Sequence, residues 1–253
     1  MTITFLGTGT SQGVPVIACT CPVCLSTDKH DKRLRTSILI EAEAKVIAID
    51  SGPDFRYQML REKVMHLDAI VFTHEHKDHV AGMDDIRAFN YKQQMPVDIY
   101  ADDRVQLALR REFPYIFDNK GYPGIPQVNL HTVTLKPFNV GDVHFTPIEV
   151  MHYKLPVKGY RIKDFTYITD AKTLSEVEKD KIRGSKILVI NALQKEKHIS
   201  HFTLDEAIAF ARDIGAKQTY LTHISHRLGK HADVSIELPA GIYLAYDGLK
   251  LEI

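Results

Sequence analysis

Residues 74 to 79 read His74-Glu75-His76-Lys77-Asp78-His79, which sets three imidazoles and the Asp78 carboxylate in an H-x-H-x-D-H pattern within six positions. Composition alone predicts on the order of 0.003 such H-x-H-x-D-H blocks in this chain, so chance explains it poorly. The bland reading is a solvated histidine-rich turn; as core residues, each ring would need a buried polar partner. Imidazole and carboxylate ligands suit Zn, Mn or Fe. Residues two apart in an extended segment point the same way, so His74 and His76 can share one cation. Asp78 and His79, at the turn into the next helix, can reach a second cation beside it. One short block cannot fill two coordination shells, so further ligands must come from elsewhere.

Strand ends supply them. Phe72-Thr73-His74, Ile168-Thr169-Asp170 and Leu221-Thr222-His223 each run apolar residue, threonine, then a possible ligand, and Val150-Met151-His152 ends a fourth strand. Ligands at strand termini converge on a crevice at one sheet edge. A second cluster is Cys19-Thr-Cys21-Pro-Val-Cys24, which holds all three cysteines. An odd, tightly spaced set is a poor disulfide framework and a good metal-ligand set. A tetrahedral structural zinc takes four ligands, so a histidine would have to complete it. The alternatives are three reduced, buried cysteines, or a redox C-x-x-C at Cys21 and Cys24, although no thioredoxin-like helix follows.

The elements that must position these residues alternate between strand and helix. Strands are predicted at Thr2–Leu6, Ser37–Glu41, Val46–Asp50 and Ala69–Phe72, the last apolar enough to be buried on both faces. A helix from about Asp54 to Lys63 suits Pro53 at its start. An αβ stretch covers Val97 to Glu112. Phe113 to Pro126 is rich in proline and glycine and reads as a long loop, with Tyr115, Phe117 and Tyr122 as pocket-lining or packing aromatics. Strands follow at about Thr132–Leu135, Val143–Val150, Gly159–Ile162 and Phe165–Thr169. Helices near Leu174–Ile182 and Thr203–Asp213 flank the strand Ile187–Asn191, and Thr203 with Glu206 forms a capping box. Strands at Gln218–Thr222, Ile242–Tyr246 and Leu249–Ile253 close the chain. Strand-rich blocks broken by helices favour an α/β (α+β) layered protein, two sheets face to face with helices outside, in one domain over residues 1–253.

Composition narrows the partners. The chain has 253 residues, 32 Lys+Arg against 32 Asp+Glu, and 13 histidines, so its formal net charge is zero. Bulk electrostatic gripping of nucleic acid needs a basic excess, and so does a polybasic membrane surface. The start, Met1 to Gly7, has neither a basic region nor a signal-length apolar run, and the thiols suit a reducing compartment; the expected location is cytoplasmic. Gly7, Gly9 and Gly13 do not form G-x-G-x-x-G, so a tight turn near the site is expected there rather than a nucleotide loop. His30, His66, His131, His144, His198 and His231 read as surface or loop residues.

The H-x-H-x-D-H block, followed by His152, Asp170 and His223, resembles the metallo-β-lactamase superfamily of metal-dependent hydrolases over most of the chain. Within it, Gly7-Thr-Gly-Thr-Ser-Gln-Gly-Val-Pro15, the C-x-C-x-x-C, Ser200-His201 and Thr222-His-Ile-Ser-His226 are similar to the phosphoribosyl cyclic phosphodiesterases of phosphonate breakdown. The resemblance implies a four-layer αββα sandwich with a dinuclear site at one edge. It implies that His74, His76, His152 and Asp170 bind one divalent ion. Asp78, His79, Asp170 and His223 would bind the other, with Asp170 bridging. His201 matches the family's additional catalytic histidine, Asp78 joins it in the reacting centre, and Asp50 supports the His loop. A structural zinc on Cys19, Cys21, Cys24 and His226 would anchor a loop at about 15–35. A homodimer follows only from the resemblance.

The function expected is a phosphodiesterase acting on a small, cyclic phosphate ester through a hydroxide activated by two metals, Mn or Zn, with Fe and Ni also suited to the ligands. The other readings are a tRNA 3′-end-processing-type endonuclease, a hydrolase of another ester, lactam or thioester, and a metal-binding regulatory module without turnover. For the endonuclease, the chain lacks a long basic arm. A rival ligand assignment places His223 and His226 on one metal. Elemental analysis separates the two: three metal ions per chain are expected, whereas two, with every thiol titratable, would contradict a cysteine-held zinc.

Overall fold

Period-two alternation builds the first sheet. In β1 (Thr2–Gly7) and β2 (Ser37–Ala42), Ile3, Phe5, Ile38 and Ile40 pack to one side, and Leu6 and Leu39 to the other. β3 (Lys45–Ile49) pairs antiparallel with β2. After α1 (Phe55–Arg61), β4 (Ala69–Val71) lies parallel to β3 and is buried on both faces. Then come α2 (Lys77–Val80), α3 (Arg87–Gln93), β5 (Val97–Ala101), α4 (Asp103–Glu112), α5 (Pro114–Phe117) and β6 (Val128–Thr132). This computed structural model describes residues 1–118 and 124–253.

The second half repeats the plan. β7 (Phe138–Val140), β8 (Val143–His152), β9 (Leu155–Ile162) and β10 (Phe165–Tyr167) form an antiparallel run. α6 (Glu176–Ile182), β11 (Ile187–Asn191), α7 (Leu204–Ile214), β12 (Gln218–Thr222), α8 (His231–Glu237) and β13 (Ile242–Leu244) extend it in parallel, and β14 (Lys250–Glu252) returns to the first sheet beside β1. The sheet orders are β14-β1-β2-β3-β4-β5-β6 and β13-β12-β11-β10-β9-β8-β7.

Apolar faces decide the layers. Ile3, Ile38, Ile47 and Val71 of the first sheet meet Phe145, Tyr160, Phe165 and Val189 of the second in a shared core. Phe55, Met59, Phe89, Val105 and Leu109 cover the outer face of the first sheet. Ile182, Ala207, Phe210 and Ile214 cover that of the second. The result is the expected αββα sandwich.

Some expectations shift. The strand expected at Thr132–Leu135 lies earlier, at Val128–Thr132, because Val128, Leu130 and Thr132 register with β5. Phe113 to Pro126 is not all loop, since Pro114 starts a short helix whose fixed φ suits its first turn. Tyr122 lies outside the described residues. The helices α3 and α8 carried no clear start signal and were not expected. The capping box at α7 is present: Glu206 N donates to Thr203 Oγ1 at 3.3 Å and Thr203 N to Glu206 Oε2 at 2.9 Å. Among the described residues, no helix is long and apolar enough to cross a membrane.

One close approach fixes the His block against the first sheet. Ser51 N donates to His79 O at 2.8 Å, and Gly82 N donates to Ser51 O at 2.8 Å. A Cβ on Gly52 would sit 2.0 Å from the Asp78 carbonyl oxygen, and one on Gly82 would sit 2.1 Å from Gly52 O. Neither backbone can yield without moving the loop. Gly52→Ala is expected to destabilise the protein by about 2–4 kcal/mol in urea denaturation; a loss below about 0.5 kcal/mol would show that the contact relaxes freely.

Candidate metal centres

Four of the residues expected at the dinuclear site sit at or just past a strand end, while His76 caps α2 and Asp78 and His79 lie in it. His74 follows β4, His152 ends β8, Asp170 follows β10 and His223 follows β12. Asp50, Asp170 and His223 have φ of 66°, 55° and 54°. That left-handed conformation is costly for non-glycine residues and is held by surroundings that over-determine it. It turns each side chain out of its strand line towards one crevice.

Asp170 is the centre. Its Oδ2 lies 3.2 Å from His79 Nε2, and its Oδ1 lies 3.2 Å from His223 Nε2. Asp78 Oδ2 is 3.3 Å from His79 Nε2 and 3.8 Å from His223 Nε2. On the other side, His74 Nε2 and His76 Nδ1 are 3.0 Å apart, and the His76 and His152 ring centroids are 5.2 Å apart. At this edge, among the described residues, three groups bring ligand atoms close enough for one ion: His74, His79 and Asp170; Asp78, His79 and His223; and His152, Asp170 and His201. The second group matches the expected ligand set apart from Asp170, which touches both of its histidines. His76 falls in none of these groups and joins the site through His74.

Hydrogen bonding tests whether cations fit. His79 Nε2, His201 Nδ1 and both ring nitrogens of His223 are buried without a hydrogen-bond partner, although carboxylate oxygens stand close by. Donor atoms therefore converge on common points rather than on one another. In a tetrahedral shell with bonds near 2.1 Å, neighbouring N and O ligands are roughly 3.4 Å apart, close to the spacings here. Two of the far ring nitrogens are engaged: His79 Nδ1 lies 2.7 Å from Asp50 Oδ2, and His152 Nδ1 lies 2.9 Å from the Ser200 carbonyl oxygen. Those acceptors place a proton on Nδ1 and leave Nε2 free to ligate.

The electrostatics agree. Burial opposes ionisation of Asp170, yet the His223 and His79 imidazoles hold it well below the usual carboxylate range. Burial likewise opposes Asp78, and His79 outweighs it. His79 is pushed well above an ordinary imidazole, because Asp78, Asp50 and Asp170 together outweigh its burial. Burial, reinforced by His79, pushes His74 well below. Negative charge therefore concentrates at the point where cations would sit.

His201 borders this centre. Its Nδ1 is 3.8 Å from Asp170 Oδ1, and its ring stands 4.5 Å from His152 and 4.8 Å from His223 between centroids. Burial, then His223, pushes it down to about 3. His198, expected as a surface or loop residue, lies in a loop, and its ring stands 5.1 Å from that of His201. Only its place two residues before Ser200-His201 could have marked it. His231, also expected in a loop, has Nδ1 3.1 Å from the buried Arg33 guanidinium.

The cysteine cluster closes as expected. His226 Nδ1 lies 3.3 Å from Cys19 Sγ, 3.4 Å from Cys21 Sγ and 3.5 Å from Cys24 Sγ. Tetrahedral Zn–S and Zn–N bonds give S···N edges of roughly 3.6 Å, so the four donors suit one zinc. The Cys24 N–H, against burial, lowers the Cys21 thiol to about 6, whereas burial raises Cys24 to about 11. The loop is stitched to the His223 segment, because Thr10 N donates to Ile224 O at 3.1 Å and Ile224 N to Thr8 O at 2.9 Å. Gly9 bridges Arg35 and Ile224, so the glycine-rich turn does lie beside the site.

Tyr115 lines a cavity of about 500 Å³ with Arg87, Pro114, Asp118, Gly124, Ile125 and Pro126. None of the convergent histidines or aspartates lines it. Phe117 packs against the core under α4 instead.

Comparison with known proteins agrees with this architecture. Residues 45–224 match the family model described as "Beta-lactamase superfamily domain". The chain belongs to the metallo-β-lactamase superfamily of hydrolases. It is 41% identical to a solved structure described as a new diphosphatase from the PhnP family, with a TM-score of 0.93, covering 100% of this chain and 97% of that one. It is also 41% identical over 248 residues to a Porphyromonas gingivalis protein named octanoyltransferase, covering 97% of this chain and 50% of that protein. The chain thus spans about half the length of that curated relative. Zn(2+)-bound PqqB from Methylobacterium extorquens shares the fold at 19% identity, with a TM-score of 0.82 and full coverage of both chains.

Proposed function

We propose that this protein is a dinuclear metal-dependent phosphohydrolase acting on a small phosphodiester, with a cyclic ester the first substrate to test. The observation that carries the reading is the Asp170 carboxylate, flanked at 3.2 Å on each oxygen by a histidine Nε2 from a different segment. A carboxylate so placed can serve two ions at once. His74, His76, His152 and Asp170 would hold one divalent ion, Mn or Zn, and Asp78, His79, Asp170 and His223 the other, with Fe or Ni as further options. Two such ions would lower the pKa of a shared water and neutralise charge on phosphoryl oxygens. A zinc on Cys19, Cys21, Cys24 and His226 would be structural.

The chain's own residues do the rest. Asp50 holds His79 through Nδ1, and Ser200 holds His152, so the rings keep their aim. Glu75 is held by Arg104 at 2.8 Å at the rim of the His loop. His201 stands beside the carboxylate and is the group we assign to protonate the leaving alkoxide. Its burial makes it neutral at pH 7 in the free protein. A bound phosphate anion raises it, which suits a general acid that acts only with substrate in place.

The charge balance supports a small anion over a polymer. Net charge is zero overall, and bound ions would add positive charge at the site. The partner is therefore a small anionic ester rather than nucleic acid or membrane, and a cytoplasmic site of action fits three cysteines that form no disulfide. A pyrophosphate diester is the second reading, favoured by the 41% identity to the diphosphatase.

A panel of bis-p-nitrophenyl phosphate, 2′,3′-cyclic nucleotides, a pyrophosphate diester and nitrocefin, each with Mn and Zn, tests the proposal. Turnover of a phosphate ester is expected; turnover of nitrocefin alone, or of nothing, would contradict it. His201→Ala should keep metal content and lose about 100-fold or more in kcat. Asp170→Ala should lose metal and activity together. Unchanged kcat in His201→Ala would remove that residue from proton transfer.

A further inference from the structure

The three sequence runs of apolar residue, threonine, ligand leave their threonines unexplained. Thr73, Thr169 and Thr222 are all fully buried, although a buried hydroxyl is costly without a partner. Their surroundings differ. Thr222 Oγ1 has no hydrogen-bond partner, and Thr169 Oγ1 donates to its own neighbour, Asp170 Oδ2, at 2.7 Å. Thr73 alone joins two site residues. Its Oγ1 donates to Asp50 Oδ2 at 2.8 Å and lies 3.0 Å from His74 Nδ1, while its backbone N–H donates to Asp50 Oδ1 at 2.8 Å.

The proton count orders this chain. Asp50 Oδ2 already faces His79 Nδ1 at 2.7 Å. A carboxylate only accepts, so the Thr73 hydroxyl must spend its one proton on Asp50. The hydroxyl oxygen can then act towards His74 only as an acceptor, which requires the proton on His74 Nδ1. His74 Nε2 is left bare, facing His76 Nδ1 at 3.0 Å. One buried carboxylate thus aims two imidazoles, His79 directly and His74 through a hydroxyl.

We infer that Thr73 is a positioning residue that passes the Asp50 carboxylate on to His74, fixing its tautomer and aiming its Nε2 into the proposed metal centre. The inference rests on reading His74 as a metal ligand, and it predicts an outer partner whose loss weakens metal binding. Thr73→Val keeps the side-chain shape and removes the relay; Thr73→Ser keeps the relay.

Two readouts test it. In competition with a chromogenic zinc chelator, Thr73→Val should bind zinc at the dinuclear site about 10–100-fold more weakly than wild type, and Thr73→Ser should restore the affinity. In long-range ¹H–¹⁵N spectra of the metal-free protein, with His74 assigned by its loss in His74→Gln, wild type and Thr73→Ser should carry the ring proton on Nδ1. Thr73→Val should lose that preference. Wild-type affinity in Thr73→Val, or failure of Thr73→Ser to restore binding, would overturn the inference. Should Thr73→Val not fold, the wild-type spectrum decides alone, since a His74 proton on Nε2 overturns the relay. A wild-type protein that takes up no metal would instead overturn the reading of the site, with the imidazole spectrum still testing Thr73.

Discussion

The buried Asp170 carboxylate is the point on which the structure turns. A lone ionised carboxylate in such a place would be strongly disfavoured. It is tolerated here because His79 comes to it from the first sheet's loop and His223 from the second sheet's strand end. The sandwich therefore does more than bury apolar area. It brings strand ends from two sheets to one edge, where their side chains can share a charge. The left-handed turns at Asp50, Asp170 and His223 are the local cost of that convergence.

Two further anchors hold the edge in place. Beneath it, Asp50 takes hydrogen bonds from Thr73 and lies against His79, so the His loop cannot rotate without stranding a fully buried carboxylate. Beside it, Cys19, Cys21 and Cys24 gather round His226, three residues beyond His223. The N-terminal loop and the His223 segment are thereby one unit. The outer shell is as specific as the inner one, and a substitution in it should act through ring orientation rather than through lost contact with substrate.

The sequence carried much of this because its chemistry is local. The His block, the strand-end repeats and the cysteine spacing are all visible as short patterns, and strand-rich blocks broken by helices marked the layers. What stayed hidden depends on distant pairing. The register that moves a strand to Val128–Thr132 is set by β5, not by its own residues. The helices α3 and α8 are held by packing of Phe89 and Val234 rather than by a strong start signal. The contacts of Thr73 with Asp50 and of Ser200 with His152 emerge only when the chain folds, since each joins segments far apart in sequence. The burial of His201 was equally invisible, and it is the largest of the influences that lower that ring's pKa.

Asp170 as a shared ligand makes a claim about magnetism that activity measurements do not reach. Electron paramagnetic resonance of the protein loaded with two equivalents of Mn(II) at the dinuclear site should show a spin-coupled pair, because one carboxylate would link both ions. Spectra of isolated, uncoupled ions at every loading would contradict it.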